Sequence, residues 1–137
     1  PLGLKALRVP YEPYRFSRRV TGRGKAGARL AHALFGSPLT LTMRLQAAIA
    51  GIAVNDRFFG KIDDGFITED LMVSLADNLP GGVTELGLHP ATATWGGEHS
   101  PPQHWQQAGE LAALTSPKVR AAIARRGIAL VRWADIA

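Results

Sequence analysis

Short apolar runs that stop at proline or glycine alternate along this chain with amphipathic stretches of roughly ten residues, and that alternation narrows the available folds more than any other feature. Leu4 to Val9 alternates and ends at Pro10, which removes a ladder donor and restricts its predecessor. Val83 to Leu88 follows Pro80-Gly81-Gly82 and ends on His89-Pro90, and Ile128 to Trp133 follows Gly127. These are three predicted strands. Gly24 to Phe35 reads as a helix ending at Gly36, and Ser37-Pro38 restarts it as N-cap and first helical residue, so residues 24–54 are predicted to form a helical hairpin. Thr68 caps a helix with Leu71, Leu75 and Leu79 at four-residue steps and Glu69 and Asp70 in its first turn. Trp105 to Leu114 returns to helical spacing. Ser116-Pro117 opens a last helix with Val119, Ala122 and Ile123 inward, closed by Gly127. Tyr11 to Gly24, rich in Arg and aromatic residues, shows no sustained period and reads as a loop. Residues 55–65 read as loop or edge strand.

Strands alternating with helices predict the α/β class, with few parallel strands and flanking helices. Three strands cannot close an eight-stranded barrel, which takes about 250 residues. The remaining strands come from elsewhere, or the sheet is open. At 137 residues, 46% apolar and 20% charged, the chain suits one globular domain spanning 1–137. Without cysteine it holds no disulfide and no thiolate metal site, which leans toward the cytoplasm. Pro1 opens the sequence with neither an initiator methionine nor a signal peptide, so the chain reads as a piece of something longer. Leu39 to Val54, interrupted by Arg44 and Gln46, falls short of the roughly 20 apolar residues of a membrane span.

The net charge of +5 is local: residues 1–30 hold eight Lys or Arg against the single acid Glu12. Such a run attracts nucleic acid, anionic lipid or acidic sugar, or is a solvated face.

Functional groups in parallel sheets gather at the C-terminal ends of the strands. Arg8 stands near the end of the first predicted strand and His89 just past the end of the second, so both point to one edge if those strands are parallel neighbours. Pro90 holds His89 in extended geometry, which suits a proton-transfer group as well as a structural strand-end histidine. Glu85, four residues earlier on the same strand face, is placed to orient the imidazole or to pair with Arg8. Trp95, beside Gly96-Gly97, has the character of a sugar-stacking platform or a loop anchor. Glu98, His99 and His104 supply the residue types of a metal site, but a proline-rich loop gives ligands no rigid scaffold. Asp63-Asp64-Gly65 is turn chemistry before it is a cation site. No GxSxG, P-loop or GxGxxG arrangement is present.

Three segments in order, Gly3-Leu4-Lys5-Ala6-Leu7-Arg8-Val9-Pro10-Tyr11-Glu12-Pro13, Thr84-Glu85-Leu86-Gly87-Leu88-His89-Pro90-Ala91-Thr92-Ala93 and Glu110-Leu111-Ala112-Ala113-Leu114-Thr115-Ser116-Pro117-Lys118-Val119-Arg120, resemble the YdjC-like carbohydrate deacetylases, closest to the hopanoid-associated HpnK-type branch. The resemblance implies a metal-dependent deacetylase on a barrel-like (β/α) fold, incomplete in this chain, that removes acetyl from an N-acetylated amino sugar, for this branch on a glycosylated hopanoid lipid. It implies His89 as the active-site histidine of an HP motif, Arg8 as the residue orienting the catalytic carboxylate or acetyl oxygen, and Glu12 as a substrate-positioning residue. The family's metal, Mg or Zn, is held by an aspartate and two histidines that precede the region resembled. No metal is therefore expected on this chain alone, which then is the inactive C-terminal half of the enzyme.

The partners expected on this reading are an N-acetylated sugar or glycolipid, with membrane-surface contact through the basic and apolar faces of 24–54. The location is cytoplasmic, with peripheral inner-membrane association as its variant, and nucleic acid is not a partner. Two rivals stand beside it. One is a basic binding module for nucleic acid or anionic lipid, built on Arg15, Arg18, Arg19, Arg23, Lys25 and Arg29 interleaved with Tyr11, Tyr14 and Phe16. The other is an inactive fragment that pairs with its own copy, as a homodimer, to cover sheet edges.

Overall fold

The computed structural model describes residues 3–22, 24–93, 100–102 and 104–136. Its strands are short: β1 (Ala6–Leu7), β2 (Ala53–Val54), β3 (Arg57–Phe59) and β4 (Thr84–Leu86). β1 pairs parallel with β2, and β3 parallel with β4 in the register Arg57↔Thr84, Phe58↔Glu85, Phe59↔Leu86. The class is α/β with parallel pairing.

β2 and β3 follow one another along the chain, and Asn55 between them takes the place of a missing peptide. Its Oδ1 accepts from Val9 N–H at 2.8 Å, while its Nδ2 donates to the carbonyls of Val9 at 3.0 Å and Arg57 at 2.8 Å. A fully buried primary amide can match a backbone donor and acceptor at once, and here it ties β1 to the kink where one strand pair hands over to the next.

The helices are α1 (Tyr14–Thr21), α2 (Ala26–Ala31), α3 (Ser37–Ile49), α4 (Glu69–Asn78), α5 (Gln107–Thr115) and α6 (Pro117–Arg125), with a final 3-10 turn at Trp133–Asp135. α4 packs against α1, α5 and α6. The core joins Phe16 and Val20 of α1, Phe59 of β3, Met72 and Leu75 of α4, Ala113 of α5 and Val119 of α6, with Phe16 and Phe59 edge to face at 6.0 Å.

Both capped starts form as the sequence predicts. Thr68 Oγ1 accepts from Leu71 N–H at 3.3 Å. Ser116 Oγ accepts from Lys118 N–H at 3.1 Å and Val119 N–H at 3.4 Å, and donates to Glu69 Oε2 at 2.5 Å, so one hydroxyl caps α6 and fastens it to the start of α4. Ser116→Ala is expected to lower stability by about 1–2 kcal/mol, the upper range for a lost cap, measured as a shift in urea midpoint at constant slope.

Three expectations are corrected. Tyr11 to Gly24 is not all loop: Pro13, extended at ψ 130°, leads into α1, whose buried Phe16, Ser17 and Val20 share one face. Two helical turns carry too few apolar repeats for a period to emerge. In place of the hairpin over 24–54 stands one run of helical backbone from Ala26 to Ile49, followed by β2, because Gly36 and Ser37 are right-handed helical and a π turn over His32–Gly36 joins α2 to α3. Pro38 has no N–H and crowds the preceding turn, and widening that turn, with Ser37 N–H donating to His32 C=O, absorbs it without a break. Ile128 to Trp133 forms no strand, and Leu130 is 80% exposed there. No helix among the described residues is long and apolar enough to cross a membrane.

Candidate active site

A depression of 450 Å³ lies beyond the C-terminal ends of three strands, lined by Arg8 and Pro10 after β1, Gly60, Lys61 and Asp64 after β3, and Leu88 and His89 after β4, with Phe58 and Leu86 between. Arg8 and His89 thus reach one edge, although their strands lie in separate two-stranded ladders.

Glycine makes the floor. A Cβ on Gly87 would stand 2.5 Å from the Phe58 ring. Gly60 has φ +105°, and its Cβ would meet the Gly87 carbonyl at 2.5 Å. Only residues without side chains let β3 and β4 approach so closely at this end.

His89 is held at three points. Its backbone N–H donates to Glu110 Oε2 at 2.7 Å, its Nε2 stands 2.8 Å from Asp64 Oδ1, and its ring lies 4.4 Å from the Trp105 ring. Glu110 is fully buried in α5 and also accepts from Ile67 N–H at 3.1 Å, clamping the end of β4 to the start of α4. Trp105 is seated against Gly65, where a Cβ would lie 2.4 Å from the indole, at a φ of +75° that glycine adopts freely. The imidazole itself is 47% exposed, so its orientation is fixed while its edge stays accessible.

Of the two partners open to Glu85, the structure selects Arg8. Arg8 Nε donates to Glu85 Oε1 at 2.7 Å, with a second bond from Nη2 to the same oxygen, and its guanidinium lies 5.6 Å from the Phe58 ring centre. The bond to Glu85 raises the already high pKa of Arg8. Asp64 takes the place beside His89.

Glu12 lies behind the depression rather than in it. It is 1% exposed and accepts from the Ser17 hydroxyl, from Arg29 Nη1 at 2.9 Å and from Lys61 N–H at 3.2 Å. Arg29, fully buried, also donates to Asp63 Oδ2 at 2.5 Å, to Gly24 C=O at 2.9 Å and to the Ser17 hydroxyl. Burial pushes the Glu12 carboxyl upward more than the Ser17 hydroxyl and Arg29 draw it down. This network secures residues 60–64, which carry Asp64 to His89.

Trp95, Glu98 and His99 lie outside the described residues. His104 stacks on Phe66 at 5.5 Å. Only part of the basic run is drawn inward, and Arg15, Arg19 and Lys25 stay exposed. Arg29 and Phe16 are buried, and Lys25 Nζ donates to Ile62 C=O at 2.7 Å over the Phe66 ring.

Sequence reasoning assigned no role to Glu110 or Trp105 and read Asp64 as part of a turn. Glu110 carried a usable signal: it sits three residues before Ala113, on the inward face of an apolar helix, where a carboxylate needs donors to be buried. Asp64, 25 positions before its partner, carried none.

Among comparisons with known proteins, the family model described as YdjC-like protein matches residues 2–125. No curated protein and no solved structure matches the chain.

Proposed function

The chain belongs to the YdjC-like protein family, and on that premise we propose that it serves a carbohydrate deacetylase, with His89 as the acid that protonates the departing amine of an N-acetylated amino sugar. The support is the threefold clamp on His89 at the mouth of the depression. Amide hydrolysis expels a poor leaving group, so a positioned proton donor lowers the barrier, and an imidazole serves near neutral pH. With Nε2 engaged by Asp64, Nδ1 is the nitrogen that passes the proton. Arg8, fixed by Glu85, would orient the acetyl oxygen or the catalytic carboxylate. Leu86 and Leu88, half-buried at the wall of the depression, offer apolar surface for the C–H face of a sugar ring. Glu12 acts on substrate position through the 60–64 loop, and Trp95 is retained as a sugar platform.

The Mg or Zn ion implied by the family resemblance does not find its ligand set in the described residues. Among them no three His, Asp or Glu side chains converge, and the close pair His89 and Asp64 is engaged with itself. On this reading its ligands lie N-terminal to the matched region, the parallel strand pairs belong to a larger barrel-like (β/α) unit, and a glycosylated hopanoid is the substrate of this branch.

Acetate release from an N-acetylated amino sugar, by a protein that includes the ligand-bearing segment, tests the assignment. Asp64→Asn should lower turnover on the order of 10- to 100-fold, less than for a fully buried orienting aspartate, because Asp64 is 37% exposed and water can take its place. KM should change little. A parent-like rate in this variant would remove Asp64 from the site.

A further inference from the structure

We infer that Lys61 is a further catalytic residue of the depression, its ammonium meeting the acetyl oxygen of the substrate and stabilising the charge that grows there. The inference rests on the deacetylase reading and assigns a group that reading leaves unused. The charged or titratable side chains lining the depression are Arg8, Lys61, Asp64 and His89. Arg8 is bonded to Glu85, and Asp64 to His89. Lys61 Nζ, on an exposed side chain at the rim, makes no hydrogen bond or ion pair among the described residues. When His89 carries the proton it is to deliver, it matches Asp64 while Glu85 matches Arg8, so Lys61 is the one charge of the lining left without a counterpart. His32 adds no second cation, because its burial and then the Lys61 charge push its pKa down and keep it neutral. A site with one surplus cation is complementary to a negative oxygen.

The backbone that carries this side chain is held on both sides. Lys61 N–H donates to the buried Glu12 carboxylate at 3.2 Å. Gly60 before it is confined at φ +105° against the Gly87 carbonyl, and Asp63 after it is tied to Arg29. The buried Glu12 network, which lies behind the depression, thus sets the root of an ammonium that lies in it. Amide hydrolysis creates one transient anion. As water adds to the acetyl carbon and gives its proton to a carboxylate base, the C=O pair moves onto oxygen. The pair returns as the C–N bond breaks, and the amine leaves with the His89 proton, giving acetate. Arg8 has Nε and Nη2 turned to Glu85, so the acetyl oxygen falls to Lys61 and Arg8 orients the carboxylate.

Acetate release from uncharged N-acetylglucosamine and from its 6-phosphate, by a protein that includes the ligand-bearing segment, tests the assignment. Lys61→Met should lower kcat on both sugars by about 10- to 100-fold with KM little changed, less than the loss of a buried oxyanion donor because water screens the rim. The substitution leaves the backbone bond to Glu12 in place, so the urea midpoint should match the parent. Lys61→Ala should regain rate as propylammonium is added, and the parent should not respond, a difference that a merely structural lysine would not produce. A parent-like kcat in Lys61→Met overturns the assignment and leaves His89 standing. So does a loss confined to KM for the phosphorylated sugar, which would make Lys61 a contact for an anionic substituent. A parent that releases no acetate from either sugar overturns the deacetylase reading itself, and this assignment with it.

Discussion

His89→Ala is expected to lower turnover on an N-acetylated amino sugar by about 10²- to 10⁴-fold, the range for losing a general acid. The imidazole is 47% exposed and its backbone N–H keeps its bond to Glu110, so the fold should lose at most about 1 kcal/mol. Three measurements separate its roles. A proton donor costs rate alone, a metal ligand would cost rate and bound metal together, and a structural strand-end histidine would cost stability of about 1–3 kcal/mol with turnover per folded molecule intact. Asp64→Asn should show a weaker form of the same rate effect. A His89→Ala protein that folds and deacetylates at the parent rate would remove His89 from the mechanism.

Arg29→Ala should be the most destabilising single change in the chain, by about 3–5 kcal/mol, because it leaves Glu12 buried without a cation and Asp63 with only Lys25 Nζ, 4.0 Å away. Ser17 and Gly24 would also lose a donor. The sign with pH follows from Glu12. Burial raises its folded carboxyl above the unfolded value. Its contribution to stability is therefore complete below the unfolded pKa and is lost as pH rises through the folded one. In the variant no guanidinium draws that carboxyl down, so the deficit against the parent should shrink as pH falls from neutrality into the carboxylate range. Denaturation midpoints across that range measure it, and a deficit constant with pH would count against the uncompensated-carboxylate explanation. The damage should spread to the site, since Lys61 N–H hangs on Glu12 and Asp63 precedes Asp64.

The α/β class and the family were legible in the residues, as were the starts of α4 and α6. Thr68 and Ser116 cap amides two or three positions away, so a few neighbouring residues contain the whole interaction. Likewise His89 before Pro90, at the end of a short apolar run, marked the end of β4 by local chemistry alone. The π turn was written locally too, in Pro38, but a proline after Gly36-Ser37 suits a restart as well as a widened turn, and only packing chose.

What the tertiary structure decided concerns charge. Arg29 read as one cation of a basic surface and Glu12 as a substrate contact, yet they close on each other and on Asp63, 34 positions from Arg29, in the interior. Asp64, not Glu85, meets His89. A charge alone in sequence belongs in water, and burying it becomes tolerable only when a distant partner arrives with it. Local spacing determines caps, turns and strand ends because their donors and acceptors lie within a few residues. Which distant carboxylate meets which cation depends on how the whole chain closes, and no local pattern records that.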